Sequence, residues 1–181
     1  MEIVPILNEA GEVVGQEERS VAHEKELLHP GVRIVMKLPD GRFVFQQRSP
    51  SKETNPGKMT FAATGHVKAG QEFVEAAREE LFEETGVRAE VADLTYLGVH
   101  QDKLDDWEIG KRRHRVRGYF YGYRFPGKLE DLKAEKGEVD WFAAYSLAEL
   151  EALSPEERKK FVDLIFVPEI MQILKSYENK D

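Results

Sequence analysis

Hydrophobic and polar positions alternate with a period of two over much of this chain and shift to a helical period in only a few places. Ile3–Leu7 and Val13–Gln16 flank Asn8-Glu9-Ala10-Gly11, which reads as a hairpin. Val32–Leu38 and Arg42–Arg48 flank Pro39-Asp40-Gly41, a second hairpin with a strong turn signal. Met59–Thr64 reads as a buried strand, Leu94–His100 and Val116–Phe125 as long strands, and Val139–Ala143 as a further strand centred on Trp141. The helical stretches are Arg19–Leu28, Gln71–Thr85 closed by Gly86, and Ser146–Leu153. A tail follows from Ser154-Pro155, an N-cap with proline at the first helical position, and runs to about Tyr177. Ser49–Lys58 is a polar loop containing Pro50, Pro56 and Gly57. Strands on both sides of one central helix, followed by terminal helices, predict an α/β fold with a central mixed sheet and helices on both faces. We expect one domain over residues 1–181: an N-terminal hairpin and helix (1–29), a core (30–150) and C-terminal helices (154–178).

The helix over 71–85 carries Glu79, Glu80, Glu83 and Glu84 within six residues, directly after the glycine-bounded loop Gly65 to Gly70. At about 100° per residue, Glu84 lies about 40° to one side of Glu80 and Glu83 about 60° to the other. Three carboxylates therefore share a narrow face, and Val74, Ala77 and Leu81 form the neighbouring apolar face. Like charges at these spacings repel by roughly 0.2–0.5 kcal/mol per pair. A divalent cation held by hard oxygen ligands, Mg²⁺ or Mn²⁺, would relieve that repulsion. Plain solvation is the alternative reading of any glutamate-rich helix.

Composition narrows the classes. The 181 residues suffice for a core that buries roughly 70% of the extended surface. The absence of cysteine removes disulfides, thiolate metal sites and cysteine nucleophiles together. A formal net charge of −8 argues against nucleic acid as the main partner. No apolar run approaches the ~20 residues needed to cross a bilayer, so no membrane partner is expected. Met1-Glu2-Ile3-Val4-Pro5 lacks a basic start and a long apolar stretch, and a cytoplasmic protein is the expectation. The oligomeric state is left open.

Gly65, Glu80, Leu81, Glu83, Glu84, Gly86 and Val87 fall in register with the pattern G-x5-E-x7-R-E-U-x-E-E-x-G-U, where U is aliphatic. The chain therefore resembles the Nudix family, over the 23 residues of its box. The resemblance implies an α/β/α sandwich and a diphosphate hydrolase. It makes Glu80, Glu83 and Glu84 the metal ligands, with the Gly65 carbonyl completing the shell and Mg²⁺ or Mn²⁺ as cofactor. The partner is then a small-molecule diphosphate. Two positions depart from the box: Gln71 stands where the family has Glu, and Glu79 where it has Arg. Those family residues brace the metal-binding glutamates, so the departures signal an extra ligand at Glu79, weakened catalysis, or a non-catalytic ligand-binding module that keeps the pocket and has lost turnover.

Outside the box, the chain also resembles isopentenyl-diphosphate isomerase and its Nudix hydrolase relatives. The similarity runs from the Asn8 hairpin through His23 and His29 to Gln46-Gln47-Arg48-Ser49, Lys52, Pro56-Gly57 and Gly65-His66. His23, His29 and His66 match the isomerase's metal-binding histidines. Its essential cysteine falls at Thr64, however, and its glutamate pair at Arg113 and Arg115. Neither a threonine hydroxyl nor an arginine can protonate and deprotonate a carbon skeleton near neutral pH. The resemblance therefore favours the hydrolase side, and the histidines read as relics, capping groups or core residues ahead of a metal site.

Further candidates carry open alternatives. Arg48 and Lys52 are expected at the substrate phosphates, because the resemblance places a diphosphate there and a guanidinium donates bidentately. Arg113 and Arg115 belong to the basic run Lys111 to Arg117, which is either an anion-binding pair or an exposed arm. Glu135 and Glu138 precede the Trp141 strand, where many Nudix proteins keep a general base; solvation of that loop is the alternative. Glu84 or a second metal could activate the water instead. Trp107, Tyr119, Tyr121 and Tyr123 could stack on a planar group, but the three alternating tyrosines fit core packing better.

Overall fold

The computed structural model describes residues 2–52, 54–101 and 115–180. The elements in chain order are β1 (Ile3–Leu7), β2 (Val13–Glu18), α1 (Arg19–Glu24), β3 (His29–Lys37), β4 (Phe43–Arg48), β5 (Met59–Phe61) and β6 (Ala63–His66). They continue as α2 (Phe73–Thr85), β7 (Thr95–Gln101), β8 (Val116–Arg124), β9 (Val139–Tyr145), α3 (Leu147–Ala152), α4 (Pro155–Arg158) and α5 (Pro168–Glu178). β1 and β2 form an antiparallel hairpin of their own. Among the described residues the other seven strands form one mixed sheet in the order β5-β4-β3-β8-β7, with β6 on β3 and β9 on β4. β3 and β8 run parallel at its centre.

Period-two alternation sends successive side chains to opposite faces, and here each face has its own core. Val32, Ile34 and Met36 of β3, with Tyr121 and Tyr123 of β8, pack against Ala76, Ala77 and Leu81 of α2. Val35, Phe43, Phe45 and Phe120 point the other way, onto Leu150, Ile165, Ile170 and Leu174 of the C-terminal segment. An α/β/α sandwich results, as expected. The tyrosines of β8 serve the core: Tyr119 stacks on Phe73 at 4.1 Å between ring centroids, and Tyr121 sits 5.7 Å from Tyr96. Trp107 lies outside the described residues. Gly86, in the left-handed region at φ 73°, ends α2 by donating its N–H to Phe82 O at 2.8 Å.

Three elements depart from the sequence expectation. The first helix stops at Glu24, because Glu26 turns left-handed at φ 53° and Leu27 N donates back to Ala22 O. The strand expected over 59–64 is two strands meeting at a bend at Ala62: β5 pairs with β4, and β6 with β3. The sheet splits there. The terminal helix is broken as well. Met59 N donates to Lys160 O at 2.7 Å and Val162 N to Met59 O at 2.9 Å, which draws the chain extended alongside β5. A 3₁₀ turn at Asp163–Phe166 follows, and Pro168, lacking an N–H, starts α5 anew.

Phe161 anchors this crossing. It is 2% exposed and meets Phe45, Tyr145 and Phe166 edge-on at centroid distances of 5.7, 5.4 and 5.6 Å. Truncation there should leave a cavity that packed neighbours cannot refill. We expect Phe161→Ala to cost roughly 3–5 kcal/mol in urea denaturation. A loss under about 1 kcal/mol would mean that the C-terminal layer does not depend on this ring.

Candidate functional site

A cavity of about 700 Å³ opens where the sheet splits. Glu80, Glu83 and Glu84 form one wall, the 48–55 loop and the Glu135–Glu138 loop another, and His23, Glu2 and Arg19 a third. No helix of the described residues is long and apolar enough to cross a membrane.

Glu84 is the best-held acid. Its side of α2 also carries Leu81, and burying Leu81 in the core turns Glu84 into the sheet, leaving it 6% exposed. Gln46 Nε2 donates to Glu84 Oε2 at 2.6 Å, and Thr64 N donates to the same oxygen at 2.7 Å. Burial nonetheless pushes its pKa up to about 7, against those hydrogen bonds and the nearby Arg48 charge. Sequence reasoning missed the role of Gln46; a buried glutamine amid Phe43, Val44 and Phe45 was the available signal.

Glu80 lies against Gly65, where a Cβ would overlap its carboxylate. Burial raises its pKa to about 9, with Glu84, Glu83 and Glu2 adding like charge and Lys68 opposing. Glu83 is exposed on the cavity rim. Two acids pushed up this far by burial, Glu80 also by the neighbouring Glu84 and Glu83 charges, fit a divalent cation, which would restore their charged forms. Mg²⁺ keeps several waters and is held by as few as one or two protein carboxylates.

The two departures from the box belong together. Gln71 Nε2 donates to Glu79 Oε2 at 2.8 Å, and Lys68 Nζ donates to the same oxygen at 3.2 Å. Gln71 Oε1 in turn accepts from Lys68 N at 3.0 Å. The loop-to-helix brace therefore persists with its polarity reversed, the acid now on the helix and the donors on the loop. Glu79 is engaged outward and does not line the cavity.

Arg48 and Lys52 do line the cavity, but both have protein partners. Arg48 Nε donates to Thr54 O at 2.9 Å and Nη2 to Thr54 Oγ1 at 3.1 Å, and burial lowers its pKa. Lys52 forms an ion pair with Glu138, so an expected phosphate ligand and an expected base tie two loops together. Glu135 also lines the cavity, with its pKa raised by burial and then by Glu138 and Glu83. Arg115 is not in the cavity, contrary to expectation. It donates to Glu9 in the N-terminal hairpin and lowers that acid's pKa, because the turn brings a carboxylate to the start of β8. Arg117 joins it, donating to Gln101 Oε1 at 3.1 Å. Arg113 lies outside the described residues.

The histidines come together more closely than expected. His23, His29 and His66, from α1, β3 and β6, have ring centroids 5.0–5.3 Å apart and candidate ligand nitrogens all within 4.8 Å. His29 Nδ1 donates to Leu27 O at 2.8 Å, which orients that ring. Such a nitrogen set suits a transition metal better than Mg²⁺.

A mixed sheet between helical layers, with the glutamates of one helix bordering a cavity at the split of the sheet, defines the class as a Nudix-type α/β/α sandwich. The chain belongs to the Nudix hydrolase family: the NUDIX domain matches residues 27–165. The Nudix hydrolase YfcD of Escherichia coli K12 is 35% identical over 159 residues, covering 87% of this chain and 83% of the relative. An isopentenyl-diphosphate Delta-isomerase of Serratia proteamaculans is 26% identical over 159 residues, covering 86% and 84%. The crystal structure of DR0079 from Deinococcus radiodurans shares the fold, with a TM-score of 0.64 at 23% identity over 83% of this chain and 87% of that one. Nudix enzymes generally work with a divalent metal ion.

Two expectations follow from these contacts. Glu84 and Glu80 have folded pKa values of about 7 and about 9, above the ordinary 4.5. Their contribution to stability is therefore full below that ordinary value and is lost as pH rises through the folded ones. In chelator, the melting temperature should fall between about pH 5 and about pH 9. Gln46→Met removes a donor to the charged form of Glu84, so it should cost about 1–3 kcal/mol at the alkaline end and far less at the acidic end. Equal losses at both ends would mean that Gln46 acts by packing alone. For the brace, Glu79→Arg alone should destabilise, because it faces Lys68. Adding Gln71→Glu should recover roughly 0.5–1 kcal/mol in a double-mutant cycle. Strict additivity would show that the two positions are uncoupled.

Proposed function

We propose that this chain is a Mg²⁺- or Mn²⁺-dependent hydrolase that cleaves the diphosphate linkage of a small nucleotide-like substrate, a nucleoside diphosphate joined to a further group. The observation that carries this reading is Glu84, buried, doubly hydrogen-bonded and side by side with Glu80 and Glu83 on the cavity wall. Such a carboxylate is pre-positioned by Gln46 and Thr64 rather than by its own flexible stem.

A divalent metal bound by Glu80, Glu83 and Glu84, with the Gly65 carbonyl beside them, would offset the diphosphate's charge and stabilise the leaving phosphate. The protein's own residues do the rest. Glu135, with a raised pKa at the cavity edge, is suited to take the proton of the attacking water. Glu138 is the alternative base, once a substrate phosphate competes for its partner Lys52. Arg48, fixed by Thr54, presents its remaining face to the cavity as a phosphate contact. Gln71 and Glu79 hydrogen-bond one another, and so weigh less for a non-catalytic ligand-binding module than they do in the sequence. Thr64 at the isomerase's cysteine position, and Arg115 turned to Glu9, speak against isomerase chemistry.

The test is a panel of nucleoside and prenyl diphosphates assayed with Mg²⁺ and with Mn²⁺. We expect metal-dependent release of phosphate or a nucleoside monophosphate, its loss in Glu83→Gln and Glu84→Gln, and no isomerised product. Millimolar Mg²⁺ or Mn²⁺ should also raise the melting temperature well beyond NaCl at matched ionic strength. Wild-type rates in both glutamine variants would sink the assignment.

A further inference from the structure

We propose that Lys68 is a substrate-phosphate contact of this cavity, flanking the diphosphate beside Glu80 as Arg48 does beside Glu84, and that Glu79 is the residue that positions it. The inference deepens the hydrolase reading and takes from it only the identity of the ligand, a diphosphate.

The loop between β6 and α2 carries one cation at a fixed place. Val67 is fully buried and pins the loop from below. Gly70, left-handed at φ 77°, lets the chain turn back on itself. The turn is closed twice: Gln71 N donates to Lys68 O at 3.0 Å, and Gln71 Oε1 accepts from Lys68 N at 3.0 Å. Ala69 N donates to Ile3 O at 2.9 Å and ties the same loop to β1. Lys68 springs from this turn and lines the cavity.

Acids on two sides set where its charge sits. Nζ donates to Glu79 Oε2 at 3.2 Å, the oxygen that Gln71 Nε2 also holds at 2.8 Å. The hydrogen bond and charge of Glu79 raise the pKa of Lys68 against burial, and the charges of Glu83 and Glu80 add to the rise. The ammonium thus stands at the cavity mouth, held by Glu79 outside and within the field of two acids of the cavity wall. Its side chain is 54% exposed. An ammonium has three donors, and among the described residues Glu79 engages one of them. It can therefore take a second anion without giving up the first.

Two cations flank the carboxylates from two different loops. Arg48 is the cation whose charge acts on Glu84, and Lys68 the one whose charge acts on Glu80. A metal on the acidic wall offsets the diphosphate oxygens that face it. The oxygens on the flanks need cations that the protein supplies directly. A lysine suits such a position, being a compact point charge with rotatable donors that follow a phosphate oxygen over a range of approaches. The reversed brace thereby acquires a reason. An acid at position 79 holds the loop cation in place, whereas an arginine there would repel it.

The experiment measures binding of methylenediphosphonate, a non-hydrolysable diphosphate, by calorimetry in Mg²⁺. Binding of Mn²⁺ alone, the melting temperature, and KM and kcat on the best substrate accompany it. Lys68→Met should weaken diphosphonate binding roughly fivefold, the scale of a half-exposed charge pair. It should raise KM by a similar factor with a smaller change in kcat, and it should tighten Mn²⁺ alone, because Glu80 loses a neighbouring positive charge. Lys68→Arg should recover most of the diphosphonate affinity. In a Glu79→Gln background the loss caused by Lys68→Met should become much smaller, and an undiminished loss there would overturn the positioning role of Glu79. If Lys68 serves the brace alone, Lys68→Met lowers the melting temperature and leaves diphosphonate binding unchanged. If it is only a counter-ion to the acids, Lys68→Met tightens Mn²⁺ and diphosphonate together. Either result would overturn the inference. Lys68-dependent diphosphonate binding in a protein that hydrolyses nothing would overturn the hydrolase reading and leave this inference standing. Hydrolysis that is indifferent to Lys68 would do the reverse.

Discussion

One buried carboxylate organises this molecule. Glu84 belongs to α2, its donors to β4 and β6, and so a single side chain joins the helix to both strands that border the split in the sheet. A charge at 6% exposure is stable only while those donors stay in place. The geometry of Gln46 and of the Thr64 amide is thus maintained by the cost of losing it. The apolar residues beside Glu84 on the helix, Ala77 and Leu81, align the same interface from the core side. Packing sets the helix against the sheet, and the hydrogen bonds set its rotation about its own axis.

The fold was legible wherever one period dominated. Alternation in β3, β4, β8 and β9 shows directly which residues face which core, and the helical spacing of Ala77, Leu81 and Glu84 sets the orientation of α2. Legibility failed where tertiary partners override local pattern. Met59–Thr64 looks like one apolar strand, yet its two halves answer to different neighbours. The tail looks helical throughout, yet Phe161 and Val162 are drawn straight by Met59. Glu26 has no sequence feature that announces a left-handed turn.

The site was legible in its acids and less so in its cations. Spacing alone put Glu80, Glu83 and Glu84 on one face, because a helix fixes relative angles within a few residues. Arg115 could not be placed the same way, since its partner Glu9 is more than a hundred residues away in sequence. Gln71 and Glu79, read singly, were two defects; in space they are one contact, and only the distance between them reveals it. Gln46 sits in a strand whose neighbours are apolar, and its partner Glu84 comes from a helix that local pattern does not link to it.

The short run that crosses beside β5 has a consequence beyond the cavity. β5 closes the sheet on one side, and a closing strand offers unpaired N–H and C=O groups to any other chain that can add to it. Met59 spends both its amide and its carbonyl on Lys160 and Val162 of its own chain. The protein thereby occupies its own sheet margin. A chain that had lost its last two dozen residues would expose that margin together with the aromatic layer beneath it, and its characteristic failure would be self-association through added strands rather than simple loosening.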